Sequence, residues 1–381
     1  MQNPFVYGEI VPSNAFADRE EELDRLVEDL AAGQKVFLIS PRRYGKSSLV
    51  RQALDVLSGR GLIVVELTVT AYSSYVAFLE GYARALAGVE TRWERAKAWL
   101  TEVITSTRPD VRLEQHAAGP RRFTVAFPLV RTERDVARLA NELFALPARV
   151  AQDRRRRVVI ALDEFQGIEA FDGGSVEHAL RAAAQQQRDV AYVFAGSEPS
   201  LMEKMIGPRR PFYKAGPVMR LERIPAEVFA DWVDERFSKS GIRPAEALGH
   251  AIVDVAGNLP YDVQRLAHEL WDDVRAGGRR RADHDDLHVT LGRLLAEQEP
   301  IFEAIWQRLT LAQRAVLRAA VLQDGRELLS AETRTRYRLG VPSSIQASLA
   351  ALTKQDVIAR DGPRYVVVDS LLREWVARRT Y

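Results

Sequence analysis

Apolar positions in the first part of the chain change period twice. Leu23, Leu26, Val27 and Leu30 recur at helical spacing, which predicts a helix from Asp18 to Ala32 that Gly33 ends. Lys35–Ile39 is then almost wholly apolar, as a buried strand is, and a loop containing Gly45 leads into a helical stretch from Lys46 to about Leu57. Leu62–Leu67 is a second apolar run. Strand, helix and strand at this spacing make a βαβ unit, and such units build a parallel sheet with helices on both faces.

Further along, residues 75–105 read as helical. Val111–Glu114 and Phe123–Phe127 alternate with period two around Ala118-Gly119-Pro120, which predicts an inserted β-hairpin at about 110–128. Helix returns from Thr132 to Val150. Val158–Leu162 is a buried strand running into Asp163-Glu164, Val176–Gln187 a helix, and Val190–Ala195 another buried strand, followed by Gly196-Ser197. From Pro225 the pattern is helical to about Glu299. The tail, 303–381, reads as helices over Leu311–Gln323, Ser330–Leu339 and from Pro342 onward, then two short strands turned by Asp361-Gly362. That is the order of a winged helix. The expected class is α/β: a parallel sheet flanked by helices over 1–222, a helical domain over 223–300 and a winged helix over 303–381.

Composition narrows the chemistry without choosing it. The absence of cysteine rules out disulfides, Cys-ligated zinc, iron–sulfur clusters and thiol catalysis, and fits a reducing cytoplasm. A net charge of +2 gives no argument for nucleic acid or membrane from charge alone. No apolar run reaches the ~18 residues of a spanning helix. Met1-Gln2-Asn3-Pro4-Phe5 has neither the basic nor the apolar stretch of a secretory leader, so a cytoplasmic protein without a membrane partner is expected.

The sharpest chemical signal is Ser40-Pro41-Arg42-Arg43-Tyr44-Gly45-Lys46-Ser47-Ser48. It matches the phosphate-binding loop G-x-x-x-x-G-K-[ST], with Ser40 where the first glycine stands. Such a loop leaves a strand, curls its backbone N–H groups around phosphates and puts a helix N-terminus behind them. Gly45 permits close approach of the backbone, Lys46 would reach the β- and γ-phosphates, and Ser47 would set its hydroxyl on Mg²⁺. The second signal is Asp163-Glu164 at the end of a buried strand, where open parallel sheets bind their ligands. Asp163 is expected in the Mg²⁺ shell and Glu164 to orient or deprotonate the attacking water. Ser197, closing the next strand, is either a contact to the γ-phosphate or the water, or an ordinary loop serine. Arg209 or Arg210 could stabilise γ-phosphate charge in cis or on a neighbouring subunit, or both are solvated loop arginines. Arg265 could be a second sensor or an exposed helix arginine.

These residues resemble the archaeal-type P-loop ATPases, of the AAA+/STAND kind, which are related to origin-recognition ATPases. Phe16-Ala17-Asp18-Arg19-Glu20-Glu21-Glu22-Leu23 is similar to the family's F-x-x-R-E-x-E-L box, Pro41–Ser47 to its P-R-R-x-G-K-[ST] loop, and Asp163-Glu164-Phe165-Gln166 to its D-E-F-Q. Gly196-Ser197 matches the sensor position, Pro211-Phe212-Tyr213 the short motif after it, and Gly257-Asn258-Leu259-Pro260-Tyr261 the lid motif. The resemblance implies ATP or ADP with Mg²⁺ as ligands, an N-terminal arm including Arg19 near the adenine, a lid at 223–300 and Pro260 packing near the base.

Two functions fit this set. One is an ATPase whose nucleotide state drives a rearrangement of DNA or a protein partner, and the other a slow, nucleotide-gated STAND-type switch, alone or as a homo-oligomer. A kinase-like transferase lacks a second substrate motif after the sensor strand. Residues 303–381 hold 13 Lys and Arg against 8 Asp and Glu, and Arg360 and Arg364 sit on the wing. The exposed face of the third helix is expected to offer Ser343, Ser344, Gln346, Ser348 and Lys354 and no arginine. Double-stranded DNA and a protein partner both remain open for this tail.

Overall fold

The computed structural model describes residues 2–8, 17, 19–89, 98–102, 104, 107, 109–114, 122–171 and 175–379. Within them the chain forms two compact units, Arg19–Glu222 and Arg223–Tyr381 together with Met1–Asp18. Phe16, Asp18, the hairpin turn at Ala118–Pro120 and part of the helical reading over 75–105 lie outside the described residues.

The first unit begins with α1 (Glu20–Ala31), β1 (Lys35–Ile39), α2 (Lys46–Gly59), β2 (Ile63–Thr68) and α3 (Tyr75–Ala87). It continues through β3 (Asp110–Glu114), β4 (Arg122–Ala126), α4 (Glu133–Arg154), β5 (Val158–Asp163), α5 (Ser175–Gln186), β6 (Val190–Gly196), α6 (Pro199–Met205) and β7 (Val218–Arg220). The main sheet has strand order β2-β5-β6-β1-β7, and every neighbouring pair in it is parallel. All of β5 and β6 is buried, which explains their unbroken apolar runs. β3 and β4 pair antiparallel as the inserted hairpin. Edge strand β7 has no sequence signal: three residues, of which one is buried, are too short to show a period.

The sheet places the chemistry by register. Ile39 at the end of β1 lies opposite Gly196 at the end of β6, and Thr68 at the end of β2 lies opposite Asp163 at the end of β5. The carboxyl ends of β5, β6 and β1 therefore form one continuous edge. Phe37, Phe165, Phe194 and Phe212 pack as an aromatic group behind that edge, with ring centroids 4.6–5.7 Å apart. Phe212, central to the short motif after the sensor strand, thus has a structural task.

In the second unit α7 (Ala226–Lys239), α8 (Leu248–Val255), α9 (Pro260–Ala276) and α10 (His284–Arg308) precede the winged helix. That part comprises α11 (Leu311–Leu322), α12 (Ala331–Arg336), α13 (Pro342–Lys354), the antiparallel pair Ile358–Asp361 and Arg364–Val367, and α14 (Ser370–Arg378). Three details differ from the sequence reading. Helix α10 does not stop near Glu299 but runs through Pro300 to Arg308, held on either side by buried Leu294, Leu295 and Phe302. Helix α14 was not expected, yet Asp369 caps it and Leu371, Leu372, Trp375 and Val376 are buried. Ser348, read as exposed, is buried on α13.

The N-terminal arm is irregular where described, but it is anchored. Phe5 is buried against Trp232 and Phe237 of α7, and the Phe5 carbonyl oxygen pairs with His268 Nδ1 at 2.6 Å. Among the described residues no helix is long and apolar enough to cross a membrane.

Candidate nucleotide site

The loop between β1 and α2 takes its shape from two residues. Gly45 has φ +87° and Arg43 has φ +136°, both in the region that favours glycine. Ser40 does not have positive φ, so its backbone makes no demand for the glycine that the usual pattern carries there. It is buried, its N–H donates to the Gly196 carbonyl at 3.2 Å, and its hydroxyl donates to the Pro41 carbonyl at 3.0 Å. The serine thus ties the loop to β6 without displacing it.

Gly45 is the N-cap of α2, and no side chain caps that helix. The first turn is Lys46-Ser47-Ser48, and a helix start without a side-chain cap suits phosphate oxygens. Lys46 is 5% exposed and Asp163 8% exposed, so their ion pair is desolvated. Lys46 Nζ also lies 3.6 Å from Glu164 Oε1. Ser47 Oγ donates to Asp163 Oδ2 at 2.8 Å, and the Glu164 N–H donates to Asp163 Oδ1 at 2.9 Å. Glu164 sits at φ +52°, a left-handed turn directly after the strand that swings its side chain away from the β5 alternation. Its Oε2 accepts from Ser197 Oγ at 2.5 Å and from Gln166 Nε2 at 2.5 Å.

The structure therefore brings together Ser40, Lys46, Ser47, Asp163, Glu164 and Ser197. Pro41, Arg42, Arg43, Tyr44 and Ser48 belong to the same loop and helix start. The donor set fits a small hard cation. Ser47 and Asp163 offer neighbouring oxygens, and among the described residues no cluster of three or more His, Asp or Glu forms a closed metal cage. Mg²⁺ characteristically takes one or two carboxylates and completes its shell with water and substrate phosphate. Nearby on β2, burial raises the Glu66 pKa, Arg51 at 2.5 Å opposes that shift, and the Asp163 charge adds to it.

The other residues named from sequence have surroundings of their own. Arg210 is not with the Lys46–Glu164 group: it pairs with Glu169 at 2.6 Å and with Glu177 at 2.8 Å. Lys204 joins the cluster at 3.3 Å from Glu169, and burial raises the Glu177 pKa against the pull of Arg210. Arg209 is exposed at φ +67°. Arg19 is buried, bonded to Glu22 at 2.6 Å and to the Glu222 carbonyl. Pro260 opens α9 in the second unit, with Arg265 on the same helix. Gln166 carried no role in the sequence reading beyond its place in D-E-F-Q, yet it is a partner of both Glu164 and Ser197. Its spacing alone could not reveal this, because the contact depends on the 3₁₀ turn Phe165–Ala170.

Comparison with known proteins agrees with this architecture. A Walker-type ATPase of Pyrococcus abyssi superposes with a TM-score of 0.60 at 16% identity, covering 97% of this chain and 99% of that one. The Aeropyrum pernix Orc2 protein, in ADPNP–ADP complexes, gives 0.56 at 13% identity, covering 99% and 97%. The Aeropyrum pernix Orc1 protein, in complex with DNA, gives 0.54 at 14% identity, covering 100% and 98%. At these identities the likeness is one of fold. No curated protein matches the chain significantly. A profile described as a probable winged helix domain matches residues 300–378. The profile of the ATPase domain predominantly from Archaea matches residues 16–265, more than half of the chain, which accordingly belongs to that family of P-loop ATP hydrolases and carries a winged helix at its C-terminal end.

Proposed function

We propose that the chain is a Mg²⁺-dependent ATPase in which Glu164 directs water at the γ-phosphate and the nucleotide state changes what the winged helix engages. The observation that carries this reading is the meeting of Lys46, Ser47, Asp163, Glu164 and Ser197 at the carboxyl edge of one sheet. In the proposed step the water oxygen bonds to the γ-phosphorus as the bond to the β–γ bridging oxygen breaks. ADP leaves with that electron pair, and the water proton passes to Glu164. Ser47 and Asp163 would hold Mg²⁺, which offsets the charge on the β- and γ-phosphates when bound. In this reading Arg19 and Pro260 belong to the adenine side and residues 223–300 to a lid, while Arg210 needs release from Glu169 and Glu177 before it can act on phosphate. Single-turnover hydrolysis with Mg²⁺ and with excess EDTA tests it. Turnover that depends on Mg²⁺ is expected, and full turnover in EDTA would remove Ser47 and Asp163 as metal ligands. A hydrolytic step far slower than nucleotide exchange would favour the switch over the working ATPase.

For the tail, double-stranded DNA is supported by its basic excess and by the DNA-bound Orc1 likeness. Arg336, Arg338 and Arg360 are exposed. A protein partner is supported by two other observations. The exposed face of α13 is uncharged at Ser343, Ser344, Gln346 and Ala347, and Arg364 is committed to Asp324 at 2.8 Å and Asp361 at 3.3 Å. A fluorescence-anisotropy titration of the full-length protein with duplex DNA, at two salt concentrations and with and without ATP, separates them. If DNA is the partner, affinity falls steeply with salt as counterion release requires. Loss of Arg360 should then weaken all sequences alike, and more than loss of Arg364. Absence of binding at low salt in every nucleotide state ends the DNA reading.

A further inference from the structure

Glu164 is held through one of its two oxygens. Ser197 Oγ and Gln166 Nε2 both donate to Oε2, and Gln166 Nε2 also lies 3.4 Å from Ser197 Oγ, so the three side chains close a small ring. Oε1 faces the other way, 3.6 Å from Lys46 Nζ. The orientation of the Gln166 amide follows from chemistry. An ionised carboxylate only accepts hydrogen bonds, so the end of the amide beside it must be the NH₂ group. The amide oxygen is then turned inward, where it is buried and has no hydrogen-bond partner. Leaving such an acceptor unpaired is costly, and the contact with Glu164 persists despite it.

The surroundings are cut to admit this amide. Gln166 is buried on the 3₁₀ turn Phe165–Ala170, packed beside Gly196 at the end of β6. A Cβ on residue 196 would lie 2.7 Å from Gln166 Oε1 and 2.4 Å from Met202. Gly196 thus leaves the room that the Met202 side chain and the Gln166 amide oxygen now fill, and it does not have the positive φ of a glycine turn.

We propose that Gln166 is a positioning residue for hydrolysis. With Ser197 it fixes Glu164 Oε2 and thereby presents Oε1 as the oxygen that takes the hydrogen of the attacking water. The proposal rests on the reading of Glu164 as the water-directing group. It assigns Gln166 no contact with nucleotide or metal, and this separates it from a residue that merely helps bind ATP.

Steady-state ATPase kinetics, nucleotide calorimetry and thermal melts test it on Gln166→Met, Gln166→Glu, Ser197→Ala, Glu164→Gln and the Gln166→Met/Ser197→Ala double variant. Gln166→Met keeps length and removes the donor. It is expected to lower kcat about tenfold or more, with KM, ATP affinity and Tm near those of the parent. The double variant should lose less than the product of its single losses, because both donors act through the same oxygen. Gln166→Glu sets a second carboxylate against Glu164. The repulsion replaces a donor contact to Oε2, so kcat is expected to fall at least as far as in Gln166→Met, with KM and ATP affinity near those of the parent. Parent-like kcat in Gln166→Met, or a kcat loss matched by equal losses of affinity and Tm, overturns the positioning role. If Glu164→Gln itself turns over at the parent rate, the assignment of Glu164 fails and the proposal falls with it. An inactive Glu164→Gln beside a fully active Gln166→Met defeats the positioning role alone.

Discussion

Replacing Lys46 with alanine is expected to raise the Kd for ATP roughly 100-fold, read by calorimetry. The estimate comes from charge-assisted hydrogen bonds, worth about 1.5–3 kcal/mol each, at about 1.4 kcal/mol per tenfold change in affinity. The side chain is buried at the head of α2 and reaches the carboxyl edge of β5, so no flexible surface lysine can take its place. The variant also leaves the Asp163 carboxylate without its cation. Breaking a buried pair on one side costs about 3–5 kcal/mol of stability, so the melt of the free protein should fall as well. The titration is therefore run at a temperature where circular dichroism shows the helices intact, beside Lys46→Arg, which keeps charge but brings a longer, planar group. A Lys46→Ala protein that is folded and binds ATP with unchanged affinity would remove this loop as the phosphate site.

The candidate site was legible in the sequence because its residues are local to strand ends. The loop after Ile39 and the acids after Leu162 each follow a buried run, and parallel pairing through β6 brings those ends together. Even the departure at Ser40 has a simple account: the left-handed positions fall on Arg43 and Gly45. The parts that stayed hidden depend on contacts distant in sequence. Arg210 reads as a free loop cation until Glu169 and Glu177, from the 3₁₀ turn and α5, close on it. Phe5 sits in an arm with no period, and only α7 gives it a place in a core. On α10, Pro300 is a strong stop signal locally, and burial of the apolar residues on either side overrides it. Burial of Ser348 on α13 follows the same logic: its position on the helix, between Ile345 and Leu352, outweighs its polarity.

The second large effect is expected from Glu164→Gln: ATP binds with affinity close to that of the parent, while single-turnover hydrolysis slows by tens of times or more. Loss of a general base acts over about 100–10,000-fold, which bounds the expected loss from above. The amide is isosteric, and the neighbours that would hold nucleotide and metal, Lys46, Ser47 and Asp163, keep their mutual contacts. The hydrogen-bond pattern does not survive as well. With its oxygen toward Ser197 and Gln166, the new amide turns an NH₂ toward Lys46 Nζ, which now stands 3.6 Å from Oε1. With the amide reversed, its NH₂ meets the Gln166 donor at the position Oε2 now fills. In either orientation the group facing water has lost its proton-accepting charge or its place. Glu164→Asp supplies the complementary change, retaining charge on a side chain one methylene shorter. If proton acceptance and reach both matter, both variants bind ATP and both are slow, with Glu164→Asp the faster of the two. Parent-like turnover in Glu164→Gln, measured on protein that binds ATP normally, would place the proton acceptor elsewhere at this edge of the sheet.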